Sequence, residues 1–151
     1  MEISTKPVIF SHSNVYALHP HPRNLTDDQI KAAAATGGFI GINGNGPLLG
    51  DDSASIEKFV DHMEYVIQLV GDDHVGLGTD LVYFPEIFDY FLKKNAAVYP
   101  SNYGIKSIKQ WKSVQPEQII DIVKELQQRG YGDQTIQKIL GCNYLRVIKA
   151  V

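Results

Sequence analysis

Three short apolar runs stand out along the chain, and each leads into a polar or glycine-rich segment. They cover Val8–Phe10, Phe39–Asn43 and Val75–Asp80. Short runs of this kind, bounded by turn residues, are typical of strands buried on both faces of a parallel sheet. Helical periodicity fills the intervals between them. The pattern therefore predicts an α/β fold with three parallel strands.

Two helices are predicted between these strands. Thr26 and Gln29 have the spacing of a capping box, so a first helix should start near Asp27 and stop at the next pair of glycines. Apolar residues at three- and four-residue spacing over Ile56–Val70 predict a longer amphipathic helix, closed by Gly71.

The regular pattern stops after the third strand. Residues 83–112 contain many aromatic side chains and no sustained period, which predicts an irregular excursion with one short helix around Glu86–Lys94. Three further helical segments follow, and no linker composition interrupts them, so residues 1–151 are interpreted as one structural unit. The segments run from Pro116 to Gly130, from a capping Asp133 through Leu140, and for a turn or two after a capping Asn143.

Composition narrows the class of protein. The 151 residues carry a formal net charge of -3, and no basic stripe indicates a nucleic-acid partner. No apolar stretch approaches the roughly 20 residues that span a bilayer, and the first residues contain no apolar signal core. The single Cys142 excludes an internal disulfide framework and is compatible with a reducing cytosol. We therefore expect a cytoplasmic protein, although a signal peptide could have preceded this segment in a longer parent.

Three polar residues follow or end the predicted strands. His12 emerges after the first strand, Arg23 comes eleven residues later, and Asp80 ends the third strand. Ligands and metals lie at the carboxyl ends of parallel strands, so these residues are candidates for one site. Each also has a structural alternative: a hydrogen-bonding histidine, a surface cation or helix-end partner, and an N-cap or ion-pair partner, respectively.

Other polar residues are given structural interpretations. The Gly44–Gly46 loop lacks phosphate-binding spacing and a helix directly after it, so it is read as turn chemistry. Asn43 either lines the mouth of the site or is structural. The remaining expectations are solvated loop histidines at His19 and His21, an exposed helix face for His62 beside Asp61 and Glu64, a structural His74, and a buried, inert Cys142.

Five motifs in this order carry a family resemblance: PVIFSHSN, HPRNLTDDQI, GGFIGINGNGP, DHVGLGTD and GCNYLRV. They resemble the C-terminal part of the membrane (renal-type) dipeptidases, zinc metallopeptidases of family M19. The resemblance implies a (β/α)8 TIM barrel, of which this chain would form about the last three strands and their helices. It also implies dipeptide hydrolysis at two zinc ions bridged by a glutamate.

The resemblance also implies residue roles. His12 matches the second of two late histidines that hold one zinc, Arg23 matches the arginine that pairs with the substrate's terminal carboxylate, and Asp80 matches the aspartate that handles the proton of the attacking water. Four of the five metal ligands, and the substrate-binding histidine, would lie before Met1. The sequence departs from the family after Asp80, where Leu81 and Val82 replace the usual Phe-Asp.

Two hypotheses follow. In the first, the chain is the C-terminal part of a zinc dipeptidase and is inactive alone. In the second, it is a non-catalytic truncated or split-gene domain that associates with another chain. Three strands leave two open sheet edges, so either hypothesis predicts pairing with the missing N-terminal barrel portion or self-association.

Overall fold

The three apolar runs form a parallel sheet in sequence order. The structure, a computed structural model, describes residues 4–95, 98 and 111–151. Strand β1 spans Phe10–Ser13, β2 spans Ile40–Ile42 and β3 spans Val75–Leu77, with β2 in the centre. Both pairings are parallel, which confirms the predicted arrangement.

Strand β1 differs from its prediction in position and burial. It begins at Phe10, because the backbone N–H of Val8 donates instead to the Thr36 hydroxyl (2.9 Å). Val8, Ile9 and Phe10 are only half-buried, so the prediction of burial on both faces is wrong for this strand. The physical reason is packing: the helix over residues 56–70 packs against β2 and β3, and residues 138–142 also pack against β3, whereas the main contacts of β1 are with β2.

A β-bulge interrupts the pairing of β1 with β2. Phe10 lies opposite Ile40 and Ser13 lies opposite Ile42, so Ser11 and His12 together face one residue of β2. His12 therefore lies inside the strand, not beyond its end as predicted.

The two predicted helices between the strands are confirmed. Thr26 and Gln29 form both hydrogen bonds of the capping box at the start of α1 (Asp27–Ala35). Helix α3 covers Ile56–Val70 and ends at Gly71, which has a φ of 94°. The other helical segments are α2 (Gly46–Leu49), a 3₁₀ turn (Asp72–His74), α4 (Pro85–Lys94), a 3₁₀ turn (Pro116–Gln118), α5 (Ile119–Gln128), α6 (Asp133–Gln137), a π-helical segment (Lys138–Cys142) and α7 (Asn143–Ala150).

The glycine-rich loop leads directly into a helix, where none was predicted. Helix α2 is only four residues long, so it gives no periodic signal. Pro47 supplies a preset helical φ near its start, and Gly50 ends it in the left-handed region with a φ of 74°.

The core lies between the sheet and helices α1, α3 and α5. Helix α3 contributes the largest share, because its apolar side packs against the central strand on one side and against α5 on the other. The fully buried side chains at these contacts include Ile30, Ile40, Ile42, Phe59, Met63, Val66, Val75, Ile122 and Leu126. This packing fixes the sheet against which the polar loops are built.

The C-terminal segment corrects three predictions. Asp133 is the first residue of α6 and does not cap it, and a π-helical turn separates α6 from α7. Asn143 is likewise the first residue of α7 and not its cap. It is buried, and its side-chain amide donates to the carbonyls of Asp72 (2.7 Å) and Val75 (2.9 Å). It therefore attaches α7 to the start of β3. Cys142 is exposed, so its predicted burial is wrong, because the turn at this point directs it outward.

Helix α4 confirms the short helix predicted in the 83–112 excursion; residues 96–97 and 99–110 of that excursion lie outside the described residues. Four large apolar side chains on α4 and its N-cap are exposed at helical spacing: Phe84, Ile87, Phe88 and Phe91. Asp89, in contrast, is buried. Among the described residues, α4 and its N-cap therefore present exposed apolar side chains along one stripe. None of the described helices is both long and apolar enough to cross a membrane.

Candidate active site

His12 lies on the bulge of β1 with its ring exposed. Its Nδ1 lies 2.8 Å from the hydroxyl oxygen of Ser11. This contact is local, and it leaves Nε2 as the ring nitrogen that faces away from Ser11. A metal-ligating histidine usually has its other ring nitrogen held by a hydrogen-bond partner, and the Ser11 contact is compatible with that arrangement and with a purely structural one.

Two glycines make room for the bulge. A Cβ atom on Gly41 or on Gly78 would lie 2.3 Å from the carbonyl oxygen of Ser11, well inside van der Waals contact. The backbone beside His12 therefore occupies space that only glycine leaves on β2 and after β3. The close approach explains why the apolar runs contain glycine at these points.

Arg23 lies in the loop that connects β1 to α1, and its side chain is exposed. The backbone holds the loop: the Arg23 N–H donates to Nδ1 of His21 (3.2 Å), and the Ser13 hydroxyl donates to the Arg23 carbonyl (2.8 Å). Within the described residues its guanidinium has no carboxylate or carbonyl partner, so the helix-end alternative does not hold. The guanidinium faces solvent, where a carboxylate can reach it.

The loop also carries two histidines beside Arg23. The rings of His19 and His21 stack at 6.0 Å between centroids. Burial lowers the pKa of His21, and the charges of His19 and Arg23 lower it further. A neutral His21 at pH 7 leaves Arg23 as the permanent cation of this loop.

Asp80 follows β3 with an unusual backbone conformation. Its φ is 53°, in the left-handed region, where few non-glycine residues occur. Its Oδ2 accepts hydrogen bonds from the side-chain amides of Asn43 (3.0 Å) and Asn45 (3.1 Å). Within the described residues Asp80 forms no ion pair, and the next helix begins only at Pro85. The N-cap and ion-pair alternatives therefore do not hold.

Asn43 is completely buried and connects Asp80 with the other two strands. Its backbone N–H donates to the carbonyl of Ser13 (3.3 Å) and to the side-chain oxygen of Asn14 (3.1 Å), both at the end of β1. The two interpretations of Asn43 were alternatives, and the structure supports both: the residue is structural and it also contacts a candidate residue. Sequence reasoning missed the roles of Asn14 and Asn45, which are buried as well. The signal that could have found them is the occurrence of asparagine shortly after the first two apolar runs.

His62 is buried, which corrects the prediction that it lies on an exposed helix face. Its Nδ1 accepts from the backbone N–H of Val15 (3.1 Å), and its Nε2–H donates to the carbonyl of Leu49 (3.2 Å). Burial lowers the pKa of His62 to about 4, so the ring is neutral at pH 7. His62 thus ties the segment after β1 to α2 and α3. His74, by contrast, is structural as predicted, since its Nδ1–H donates to the carbonyl of Gly38 (2.7 Å).

The three candidate residues are not in contact with each other. His12 is on β1 and Asp80 follows β3, and the width of the central strand alone separates them by about 10 Å. Over the described part of the chain, no hydrogen bond or ion pair joins His12, Arg23 or Asp80 to another of the three. Asn43 does connect Asn14, which follows β1, with Asp80, which follows β3, at the carboxyl end of the strands.

Comparison with known protein families shows to which family the chain belongs. The sequence model of the membrane dipeptidases, peptidase family M19, matches residues 1–89. The chain belongs to this family. The resemblance carried by the five motifs is thereby confirmed.

Relatives in family M19 are longer than this chain. It is 33% identical to an uncharacterized protein in the pqqA 5′ region of Klebsiella pneumoniae, covering 98% of the chain and 48% of that protein. It is 34% identical to dipeptidase ataJ of Aspergillus terreus and 31% identical to dipeptidase tcpJ of Claviceps purpurea, covering 99% and 100% of the chain and 32% and 31% of those proteins. The chain thus spans between about a third and a half of the relatives' length.

Solved structures agree with this assignment. An amidohydrolase from Pseudomonas aeruginosa superimposes with a TM-score of 0.79 at 29% identity, over 97% of this chain and 46% of that protein. A metallopeptidase from Rhodobacter sphaeroides, solved with a phosphinate mimic of the dipeptide L-Ala-D-Ala, has a TM-score of 0.70 at 23% identity and covers 99% and 37%. The second likeness concerns the fold alone, which is α/β in both.

A metal is expected in this metallopeptidase family, and a metal site requires several donor side chains close together. The described residues contain no group of three or more His, Cys, Asp or Glu side chains that could hold a metal ion. A zinc site needs three or four protein ligands, so His12 with its neighbours does not form one. The described residues of this chain therefore do not fit a complete metal centre by themselves.

Proposed function

We propose that this chain is the C-terminal part of a zinc-dependent dipeptidase, comprising about the last three strands of a (β/α)8 barrel and their helices. The observation that carries the proposal is the match of residues 1–89 to the membrane dipeptidase family. The parallel order β1-β2-β3 supports it, because strands of a TIM barrel follow each other in sequence order. The partial coverage of every relative described above also supports it.

Three residues would act at the substrate. His12 would supply one metal ligand through Nε2, and the other ligands would come from outside this chain. Arg23 would pair with the terminal carboxylate of a dipeptide through two parallel hydrogen bonds, for which its planar guanidinium is suited. Asp80 would accept the proton of the attacking water and return it to the leaving amine.

A reconstitution experiment tests the proposal. The chain is co-expressed with the portion of the Pseudomonas aeruginosa amidohydrolase that it does not span, and the pair is called the assembled enzyme below. With added zinc, we expect the assembled enzyme to hydrolyse dipeptides such as L-Ala-D-Ala, and each part alone to be inactive. Asp80→Asn in the same assembly is the control and should remove the activity. A stable, zinc-loaded assembly without dipeptidase activity would contradict the proposal.

A second candidate function is a non-catalytic domain that associates with another chain. The exposed apolar side chains of the α4 stripe, and the edges of β1 and β3 that pair with no other described strand, favour it. The same experiment separates the two functions. Association without hydrolysis, at full zinc occupancy, would favour the second.

A further inference from the structure

We infer that Asn43 and Asn45 are positioning residues for Asp80: together they hold one carboxylate oxygen and so direct the other toward the reacting water. The inference rests on the proposed role of Asp80 as the proton acceptor. It concerns two residues to which the family resemblance assigned no role.

Both amides converge on the same atom. Nδ2 of Asn43 lies 3.0 Å and Nδ2 of Asn45 lies 3.1 Å from Oδ2 of Asp80. With two donors on Oδ2, the carboxylate plane is fixed and Oδ1 is the oxygen that remains for a proton. A carboxylate that accepts only one hydrogen bond, on one oxygen, could still rotate about its Cβ–Cγ bond.

The orientation of each amide is itself fixed by a second contact. The backbone N–H of Asn45 donates to Oδ1 of Asn43 (2.8 Å), and the hydroxyl of Ser113 donates to Oδ1 of Asn45 (2.5 Å). Because each amide oxygen already accepts a hydrogen bond, each amide nitrogen must face Asp80. Rotating either amide by half a turn would place oxygen against the carboxylate and lose both bonds.

The two donor side chains are buried and therefore held in place, whereas the acceptor, Asp80, is exposed. Asn43 is 0% and Asn45 is 5% exposed, whereas Asp80 is exposed and stands after the end of its strand. Its left-handed backbone conformation, with a φ of 53°, has an energetic cost that the surrounding structure must offset. The two buried amides at the carboxyl end of the sheet provide that support. Catalytic geometry depends on groups that keep a fixed position.

Kinetics of the assembled enzyme test the inference. We expect Asn45→Ala to lower kcat by roughly ten- to a hundredfold with little change in KM, because misplacement of a proton acceptor affects the transition state and not substrate binding. Asn45→Asp should be worse than Asn45→Ala, because it retains the shape but places a second carboxylate beside Asp80. A purely structural residue would show the opposite order, since the isosteric change would be milder.

Asn143 provides a matched control. It is also buried and also donates two hydrogen bonds, but to the backbone at the other end of β3. Asn143→Ala should lower the melting temperature and leave kcat per folded molecule unchanged. If Asn143→Ala and Asn45→Ala reduce kcat equally, or if Asn45→Asp is milder than Asn45→Ala, the inference is overturned.

A spectroscopic arm does not depend on activity. In the assembled enzyme, Asp80→Ala should shift the side-chain amide resonances of both Asn43 and Asn45 and leave that of Asn143 unchanged. Unchanged Asn43 and Asn45 resonances would refute the hydrogen bonds even if the enzyme is active. Shifted resonances in an assembly that hydrolyses no dipeptide would instead refute the proposed function, and the role of Asp80 with it, while leaving the hydrogen bonds intact.

Discussion

Acid should destabilise this protein through one buried side chain, His62. Its ring is neutral, and it accepts a hydrogen bond from the Val15 N–H while donating one to the Leu49 carbonyl. Protonation would place a second N–H against the Val15 N–H and add a charge to a completely buried site. Replacement by glutamine, whose amide has both a donor group and an acceptor group and does not titrate near neutral pH, removes this penalty.

The magnitude follows from the lowered pKa. In the unfolded chain the group has its ordinary value of 6.5, and in the fold the pKa of His62 is about 4. Below pH 6.5 the unfolded state therefore binds more protons than the folded state, and the stability falls until the folded pKa is reached. Between pH 7 and pH 4.5 this one group should reduce the free energy of unfolding by about 2 kcal/mol.

Urea denaturation of wild type and His62→Gln at the two pH values measures this loss. The experiment uses the isolated chain or the assembled enzyme, depending on which of them unfolds cooperatively. Other titrating groups, such as His21, contribute equally to both proteins and cancel in the difference. We expect the variant to be the less stable protein at pH 7 but to lose about 2 kcal/mol less on acidification. His12→Gln, at an exposed position, is the control and should follow wild type. If His62→Gln has the same acid sensitivity as wild type, the reasoning is refuted.

Three further outcomes are expected. The isolated chain should retain far less than one equivalent of zinc after dialysis, because one imidazole is not a zinc site; tightly held, stoichiometric metal at His12 would contradict this. In the assembled enzyme, Arg23→Lys should lower kcat/KM on a dipeptide by roughly ten- to a hundredfold but hardly affect a C-terminally amidated one, and equal losses would make Arg23 structural. Expressed alone, the chain should be an oligomer, an aggregate or a partly molten monomer in sedimentation velocity and dye-binding assays, because β1 and β3 each pair with only one other described strand and the apolar side chains of the α4 stripe are exposed. A compact monomer that melts cooperatively and binds no dye would remove the barrel-fragment interpretation.

The elements with local signals could be predicted from the sequence. The start of α1 depends on two residues three positions apart, and the ends of α3 depend on its own period and a glycine. Both were correct. The parallel order of the strands also followed, because a helix between two strands leaves room for a crossover connection.

His62 shows how a local signal can mislead. Its sequence neighbours Asp61 and Glu64 suggested an exposed face, yet Phe59 and Val66, three residues before and four residues after it, are its neighbours on the helix surface and both are buried. Spacing of three and four residues was the better guide. The hydrogen bonds that support this histidine come from the β1–α1 loop and from α2. The sequence of its own helix does not predict them.

The candidate site was predicted less completely, for a physical reason. The hydrogen bonds to Asp80 span 35 and 37 residues of sequence, and they depend on how two strand ends approach each other. No period or spacing contains that information. The bulge at Ser11 and His12 is similar, because it exists only in the pairing of β1 with β2.

That bulge couples positions on three segments of the chain. The Ser11 carbonyl occupies the space where a Cβ on Gly41 or Gly78 would be. At Gly78 a Cβ would also lie 2.8 Å from the carbonyl carbon of Gly41, so loss of the extra residue of β1 would make room for a side chain at Gly41 only. Losing that residue would also change the position of the His12 side chain on β1. We therefore expect epistasis across the sheet: a deletion in β1 and a replacement at Gly41 should each be harmful alone and partly compensate each other when combined, whereas a replacement at Gly78 should stay harmful in both backgrounds. The glycine on the central strand is thus linked to the way in which the neighbouring strand carries its histidine.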